Sequence, residues 1–287
     1  MSGSVAPLSL SKLFQLSRPR FWIYIFGPYL VGLAAGASKL SDFHHWPIVV
    51  FGFFFLFPAN LLIYGINDIF DYETDIHNIK KIDYETLVPP AERITLWLVI
   101  ALLNLPFALG LVAANAAARW TLAAFLFFSI FYSAPPIRAK TKPILDAAFN
   151  VLYIFPGIFA YYLIGGEALS LNLVLAAWCW AMAMHAYSAV PDITADRTAK
   201  IQTVATYLGL PGTLLFCLVL YAASALLAFP HLSFISLLLG MVYVSLMLAS
   251  LRAGTESDVM RLYKIFPPIN TISGGVLFFA VFLSKFL

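Results

Sequence analysis

The sequence has little charge and almost no cysteine. Asp, Glu, Lys and Arg make up only 11% of its 287 residues, whereas apolar and aromatic residues make up 62%. A typical soluble domain has about 25% charged residues, so this composition excludes a water-soluble globular fold. The two cysteines, Cys179 and Cys217, both lie in apolar stretches, which argues against a disulfide framework. The net charge of +3 is too small and too dispersed to indicate a nucleic-acid partner.

Apolar segments recur along the whole chain and predict an all-α membrane bundle. Because each crossing needs about 20 apolar residues, nine transmembrane segments can be distinguished, without a soluble domain or a long linker among them. We therefore predict a single domain over residues 1–287, in which residues 1–16 form an N-terminal tail. The predicted spans are near residues 21–37, 47–66, 95–114, 120–133, 145–164, 172–190, 205–228, 231–250 and 267–284.

The basic residues predict the orientation of these spans. With nine crossings, all but three of the 17 Lys and Arg residues fall on the side that carries the N-terminus. Cytoplasmic loops of membrane proteins are enriched in Lys and Arg, so the N-terminus is predicted to be cytoplasmic and the C-terminus external. Most acidic residues fall on the same side, which places the polar chemistry at the cytoplasmic face. The three basic residues on the other side are Lys39, Arg119 and Lys285.

Carboxylates are concentrated directly after the second apolar segment. The stretch reads Asn67-Asp68-Ile69-Phe70-Asp71-Tyr72-Glu73-Thr74-Asp75. Asp68, Asp71 and Asp75 are spaced i, i+3 and i+7, so they share one face if the preceding helix continues through them. Three carboxylates on one face repel each other unless a cation lies among them. Oxygen ligands suit a hard cation such as Mg²⁺, although a solvated loop is the alternative for this stretch alone.

A second acidic pair follows the sixth apolar segment, on the same predicted side of the membrane. Asp192 and Asp196 are spaced i, i+4, which again places them on one helical face. Two acidic clusters that face each other can hold divalent ions, and these ions can bind a diphosphate between them. The two clusters are therefore candidates for a site that binds divalent ions and a diphosphate.

A basic loop after the fourth segment supplies positive charge for such a substrate. It reads Tyr132-Ser133-Ala134-Pro135-Pro136-Ile137-Arg138-Ala139-Lys140-Thr141-Lys142. Arg138 and Lys140 can contact phosphate oxygens, and Arg can do so bidentately. The alternative is that these cations only enforce the topology. Further candidates for diphosphate binding, near the two acidic clusters, are Lys81, Arg197 and Lys200.

Together these motifs resemble those of the UbiA superfamily of intramembrane prenyltransferases. Residues 67–75 resemble its first Asp-rich motif, Asp192-x-x-x-Asp196 its second, and Tyr132 to Lys140 its Tyr-Ser-x-Pro-Pro-x-Arg-x-Lys loop. Residues 18–22, Arg-Pro-Arg-Phe-Trp, resemble the entry into its first helix. The resemblance extends from about residue 17 to the end of the chain. Lys200 departs from the pattern, because the family often has Gly at this position.

The resemblance implies an enzyme that uses Mg²⁺ to bind the diphosphate of an allylic prenyl donor, dimethylallyl or longer. The prenyl group would pass to an apolar acceptor that enters from the bilayer. The residues between the motifs are most similar to lycopene elongases, which implies lycopene or a related carotenoid as acceptor. The implied location is a bacterial or archaeal cell membrane, with the active site on the cytoplasmic side. The implied metal ligands are Asn67, Asp68, Asp71, Asp75, Asp192 and Asp196.

The remaining site residues are assigned by the resemblance and by position. Tyr132 is implied to be catalytic, together with Asp68, Asp71, Asp192 and Asp196. Aromatic faces stabilise an allylic cation by about 0.5–2 kcal/mol each. The candidates for diphosphate binding are Arg20, Lys81, Arg138, Lys140, Arg197 and Lys200. The candidates for the acceptor and cation pocket are Tyr64, Tyr153, His185 and Tyr187, and for His185 a packing role is the alternative.

Two other functions stay open at this point. An aromatic prenyltransferase, acting on a quinone precursor or a tetrapyrrole, would need the same donor motifs. A transporter also carries carboxylates within the membrane, but near the midplane. In this sequence the acidic residues cluster at segment ends on one side, which argues against transport.

Overall fold

The protein is built from helices. A computed structural model describes residues 7–75, 86–110 and 115–287, and these contain no β-strand. Within them, eight helical segments are long and apolar enough to cross a membrane, and a ninth apolar helix, Ile23–Gly36, is shorter. These nine correspond to the nine predicted segments. The chain is therefore an all-α integral membrane protein, as predicted.

The α-helices are numbered in chain order. They are α1 (Leu10–Leu16), α2 (Ile23–Gly36), α3 (Trp46–Leu56), α4 (Pro58–Asp75), α5 (Arg93–Gly110), α6 (Ala116–Ser133), α7 (Leu145–Ala148), α8 (Phe155–Leu163), α9 (Leu171–Ala189), α10 (Ile193–Thr198), α11 (Val204–Leu232), α12 (Phe234–Ala253), α13 (Glu256–Tyr263) and α14 (Phe266–Phe286). Short 3₁₀ helices occupy Pro19–Phe21, Leu40–His44, Pro90–Glu92, Ala139–Thr141, Phe149–Tyr153 and Val190–Asp192.

The second predicted span is divided into α3 and α4 by a bend before Pro58. Phe57 leaves helical geometry, with φ −120° and ψ −63°. Pro58 has no N–H to donate to the preceding turn. The side-chain amide of Asn60 donates instead to the carbonyls of Phe55 and Leu56, at 2.9 Å each. Asn60 therefore satisfies backbone groups that could not find water in a bilayer.

The chain forms two compact units, and the first consists of Met1–Ile137 and Phe155–Gly165. Its core contains buried aromatic rings from α3, α6 and α8, with ring centroids 4.6–6.2 Å apart. The predicted N-terminal tail, residues 1–16, includes α1, whose Leu13 and Leu16 are buried in a cluster with residues of α4. The aromatic core residues are Phe51, Phe54, Phe55, Phe125 and Phe159.

Glycine permits α2 and α8 to pack closely within the first unit. A Cβ placed on Gly32 would lie 2.0 Å from the carbonyl oxygen of Gly157, and one on Gly36 would lie 2.5 Å from that of Tyr161. From the other side, a Cβ on Gly157 would lie 2.9 Å from the carbonyl oxygen of Pro28. Small residues serve the same purpose in many membrane helix pairs, because they bring the backbones into contact.

The loop between α2 and α3 is fixed by a carboxylate. Asp42 Oδ2 accepts the backbone N–H groups of Ser38 and Lys39, at 2.8 and 3.0 Å. Hydrogen bonds to the charged form favour it, so these two contacts hold the pKa of Asp42 below its usual value. The loop that joins the two helices is therefore ordered by its own backbone donors.

The second unit consists of Arg138–Ile154 and Gly166–Leu287. In it, α11 packs against both α9 and α12. Its core is also aromatic: the rings of Tyr221 and Tyr243 stack with centroids 4.6 Å apart, and the rings of Tyr187 and Phe266 meet edge to face at 5.0 Å. Aromatic pairs in these geometries contribute beyond the area that they bury.

Candidate active site

The first acidic stretch lies on α4, which continues through it to Asp75. The prediction of a shared helical face required the helix to continue through these residues, and the backbone does so. Asp68 is buried, whereas Asn67 and Asp71 are partly exposed. The side chain of Asp75 and the whole of Lys81 lie outside the described residues. The structure thus brings an amide and two carboxylates together on one helix end.

Asp68 is paired with an arginine. Arg18 Nη2 lies 2.5 Å from Asp68 Oδ1, and the two side chains are only 13% and 7% exposed. The same guanidinium lies 4.9 Å from the ring centroid of Tyr64, which is itself buried. A buried carboxylate is costly without such a partner. Tyr64, a predicted pocket residue, therefore has its ring next to a cation of the protein.

From the sequence, Arg20 and not Arg18 was predicted to be the diphosphate-binding residue of this region. Arg20 is exposed, and its guanidinium lies 4.7 Å from the ring centroid of Phe21. Arg18 adopts the left-handed conformation, with φ 51° and ψ 69°, which costs a non-glycine residue about 1–2 kcal/mol. The two arginines flank Pro19 and carry the same charge. Arg18 reaches Asp68 on α4 from this left-handed turn.

Asn67 is oriented by the end of α6. Its Nδ2 donates to Ser133 Oγ at 3.2 Å, and Ser133 is fully buried. This hydrogen bond uses the donor group of the amide, so the carbonyl oxygen is the part of Asn67 that can bind a cation. Tyr132, predicted to be catalytic, precedes Ser133 on the same helix end and is partly exposed.

The basic loop contains a second arginine in the left-handed conformation, Arg138. Arg138 has φ 45° and ψ 55° and precedes the 3₁₀ helix Ala139–Thr141. Its carbonyl oxygen accepts the N–H of Thr141 at 3.1 Å and the Thr141 hydroxyl at 3.0 Å. Ala139 is fully buried, whereas Arg138 and Lys140 are partly exposed. Strained backbone of this kind is often found at functional sites.

The second acidic pair lies on a short helix that is separate from the preceding span. After α9 ends, a 3₁₀ turn leads to α10, and Asp192 is the residue that precedes α10, with φ −106° and ψ 2°. Asp196 lies within α10. The single helical face predicted for this pair therefore consists of α10 and its capping residue. Val190 and Ile193 anchor this turn, because they are 0% and 1% exposed.

Two predicted cations follow this pair and are exposed. Arg197 Nη2 donates to the carbonyl of Thr206 at 3.2 Å. Lys200 adopts a positive φ of 58°. Glycine adopts such a conformation without a Cβ clash, which is a physical reason for the Gly that the resemblance led us to expect at this position. Lys200 therefore adopts a backbone conformation that is unfavourable for a residue with a side chain.

The remaining predicted pocket residues lie in the second unit. Tyr187 is fully buried, and its hydroxyl lies 2.9 Å from Ser250 Oγ, so the structure makes it a core residue. Tyr153 is partly exposed at the end of a 3₁₀ helix. His185 Nε2 lies 3.3 Å from Asp146 Oδ2. Asp146 is fully buried and was not predicted, because a lone Asp in an apolar segment carries no spacing signal.

The described acidic residues do not form a metal cage by themselves. Across the described ranges, no group of three His, Cys, Asp or Glu side chains is close enough to hold a metal ion. Mg²⁺ does not require such a cage, because it is usually bound by one or two carboxylates, waters and substrate phosphates. The oxygen donors of Asn67, Asp68 and Asp71 fit this ion, and so do those of Asp192 and Asp196.

Comparison with known proteins agrees with these features. The UbiA prenyltransferase family model matches residues 25–265. The chain is 43% identical to the lycopene elongase/hydratase of Haloferax volcanii over 269 residues, which cover 92% of this chain and 86% of that protein. It is 40% identical to the lycopene elongase/hydratase of Haloarcula japonica over 270 residues, which cover 93% and 90%.

The fold is also that of a solved structure, a UbiA homolog from Archaeoglobus fulgidus bound to DMAPP and Mg²⁺. The TM-score is 0.67 at 19% sequence identity, over 95% of this chain and 99% of that chain. The family model, the two relatives and the shared fold lead to one assignment. The chain belongs to the UbiA prenyltransferase family and is an integral membrane prenyltransferase.

Proposed function

We propose that this prenyltransferase transfers a prenyl group from an allylic prenyl diphosphate to an apolar isoprenoid acceptor, namely lycopene or a related carotenoid. The acceptor is suggested by the two lycopene elongase/hydratases, which resemble the chain over nearly its full length. The donor class is suggested by the DMAPP and Mg²⁺ bound to the neighbour from Archaeoglobus fulgidus. Dimethylallyl diphosphate is accordingly the first donor to test.

The observation that carries the proposal is the end of α4. Asn67, Asp68 and Asp71 present oxygen donors on one helix in a chain with very few charges. Oxygen donors in this number suit Mg²⁺ that also contacts a substrate phosphate. In the proposed function these three residues hold Mg²⁺ with the donor diphosphate, and Asp192 and Asp196 contribute in the same way. When bound, Mg²⁺ neutralises negative charge on the diphosphate leaving group.

The chain's own cations have a related role in the proposal. As the allylic C–O bond breaks, its electron pair goes to the diphosphate. Arg and Lys side chains stabilise the charge that develops there. Arg138 and Lys140 lie in a loop whose backbone is fixed by left-handed geometry, so they are the first candidates. The further proposed contacts are Arg20, Lys81, Arg197 and Lys200.

The acceptor then supplies the electrons for the new bond. The π electrons of its terminal double bond attack the allylic carbon and leave a cation on the acceptor. This cation either loses a proton directly or adds water and then loses a proton, and the names of the two relatives include both elongation and hydration. Water must be kept from the first cation, and apolar helices provide such surroundings.

Expression in a lycopene-producing host tests the proposal. We expect carotenoids that are heavier than lycopene by one or two C5 units, with or without added water, in mass spectra of the extracted pigments. Asp71→Asn and Asp192→Asn should abolish these products although the proteins reach the membrane in normal amounts. Unchanged lycopene with the wild-type protein, together with prenylation of a hydroxybenzoate by the purified enzyme, would favour an aromatic acceptor instead.

A further inference from the structure

The proposed function leaves one buried charge unused. Asp146, on the first turn of α7, is 0% exposed. Its Oδ2 accepts the backbone N–H of Val204 at 2.8 Å and lies 3.3 Å from His185 Nε2. Within the described part of the chain, its Oδ1 has no hydrogen-bond partner. A buried carboxylate with an unsatisfied oxygen is costly to a fold, so the contacts that Asp146 makes require an explanation.

Along the chain, one contact of Asp146 precedes the second acidic pair and the other follows it. His185 is on α9 and precedes Asp192, whereas Val204 is the first residue of α11 and follows Asp196. A single carboxylate oxygen thus joins both ends of the segment 185–204. All of these residues belong to the second unit.

The contact with Val204 uses a donor that a helix leaves open. The first N–H groups of a helix have no acceptor within it, and a carboxylate at this end also interacts favourably with the helix dipole. Thr203 Oγ1 accepts the N–H of Thr206 at 3.2 Å and completes the cap. The start of α11 is therefore fixed by Asp146 and Thr203 together.

We propose that Asp146 is a positioning residue for the second acidic pair. By holding both ends of the segment 185–204, it sets Asp192 and Asp196 for the binding of Mg²⁺ and the donor diphosphate. Asp146 acts through these residues and does not contact the metal. The inference rests on the proposed function. Groups that orient metal ligands from behind typically change metal affinity about 10- to 100-fold when they are removed.

Binding of an unreactive donor tests this role without turnover. Isothermal titration calorimetry on purified full-length protein would measure the affinity for dimethylallyl S-thiolodiphosphate at fixed Mg²⁺, and then for Mg²⁺ at fixed analogue. We expect Asp146→Ala to weaken both by about 10-fold or more. Asp146→Asn keeps an oxygen for the Val204 N–H and should stay closer to wild type than the alanine variant.

A matched control separates positioning from general destabilisation. Tyr243→Phe removes a buried hydrogen bond to Asn270, which is 3.0 Å long and also belongs to the second unit. It should lower thermal stability and leave both affinities unchanged. If the Asp146→Ala protein is not monodisperse, Asp146→Ser replaces it. The shorter serine side chain does not reach Val204, so the same loss of affinity is expected.

Two results would overturn the inference. One is wild-type affinity for Mg²⁺ and the analogue in the alanine or serine variant. The other is an equal loss in the alanine and asparagine variants, which would assign the effect to charge and not to the hydrogen bond with Val204. A wild-type protein without prenyl transfer would instead reject the proposed function, so the two failures are distinguishable.

Discussion

Individual residues of the site carry charges that would be costly in a bilayer without their partners. Asp68 is paired with Arg18, and Asp146 accepts the Val204 N–H and lies 3.3 Å from His185 Nε2. In both cases an apolar chain retains a buried carboxylate. A hydrophobic residue would often be no less stable at such a position, so the proposed roles of both residues in the site give a reason for their presence.

The pair between Arg18 and Asp68 is open to a direct test. Removing one partner leaves an uncompensated buried charge, which costs about 3–5 kcal/mol. We expect Arg18→Ala to lower the free energy of unfolding by about 3 kcal/mol, as measured by chemical unfolding in detergent. The double variant with Asp68→Asn should lose less than the single variant.

Arg20→Ala is the matched control for that measurement. Arg20 is exposed, and its guanidinium lies over the ring of Phe21, so its loss should cost less than about 1 kcal/mol. Equal effects of Arg18→Ala and Arg20→Ala would contradict a special role for the buried pair.

Lys200 combines an unfavourable backbone conformation with a positive charge, and two substitutions separate the effects of these features. Its positive φ of 58° suits glycine. We expect Lys200→Gly to raise stability by up to about 1 kcal/mol, measured by thermal unfolding. Both Lys200→Gly and Lys200→Ala should raise KM for the prenyl diphosphate, because both remove the proposed phosphate contact. A stability gain in the alanine variant, or an unchanged KM in both, would contradict this account.

At the scale of helices, α2 and α8 pack with their backbones close together. A Cβ on Gly32 would overlap the backbone of Gly157, so a methyl group forces the two helices apart. Overpacking of this kind typically costs about 1–3 kcal/mol. We expect Gly32→Ala to lower the melting temperature in detergent. Gly274→Ala is the control, since nothing lies within 4 Å of a Cβ there, and a similar loss in it would contradict the packing explanation.

Hydropathy was sufficient to predict the membrane-spanning helices, because a bilayer demands about 20 apolar residues and internal hydrogen bonds for each crossing. It does not report where a span bends. The break at Phe57 and the division of the fifth predicted span into α7, a 3₁₀ helix and α8 arise from local backbone geometry. The predicted helical face of residues 67–75 was correct because α4 continues to Asp75.

The acidic motifs were visible in the sequence because clustered carboxylates stand out against a low charge content. The contacts of Arg18 and Asp146 were not visible, since the partners of both residues are distant in the chain. Arg18 is 50 residues from Asp68, and Asp146 is 39 residues from His185 and 58 from Val204. Only the fold brings such residues into contact.

At the scale of the whole molecule, the orientation in the membrane is still a prediction. It rests on the one-sided distribution of Lys and Arg. It also has a functional consequence, because a diphosphate is too highly charged to enter from the hydrocarbon region. The acidic motifs and the basic loop must therefore open toward the compartment that supplies the donor, which the prediction identifies as the cytoplasm.

Single cysteines can test this orientation in intact cells. In a variant without Cys179 and Cys217, we expect Ser9→Cys and Arg252→Cys to be cytoplasmic and Arg119→Cys to be external; all three positions are exposed. A membrane-impermeant maleimide should therefore block Arg119→Cys alone. After lysis, a second maleimide should label the other two.

The reverse pattern would place the acidic motifs outside and contradict a cytoplasmic site. Labelling of all three in intact cells would contradict the assigned sides without reversing them, because the positive-inside argument requires residues 9 and 252 to share a side that residue 119 does not.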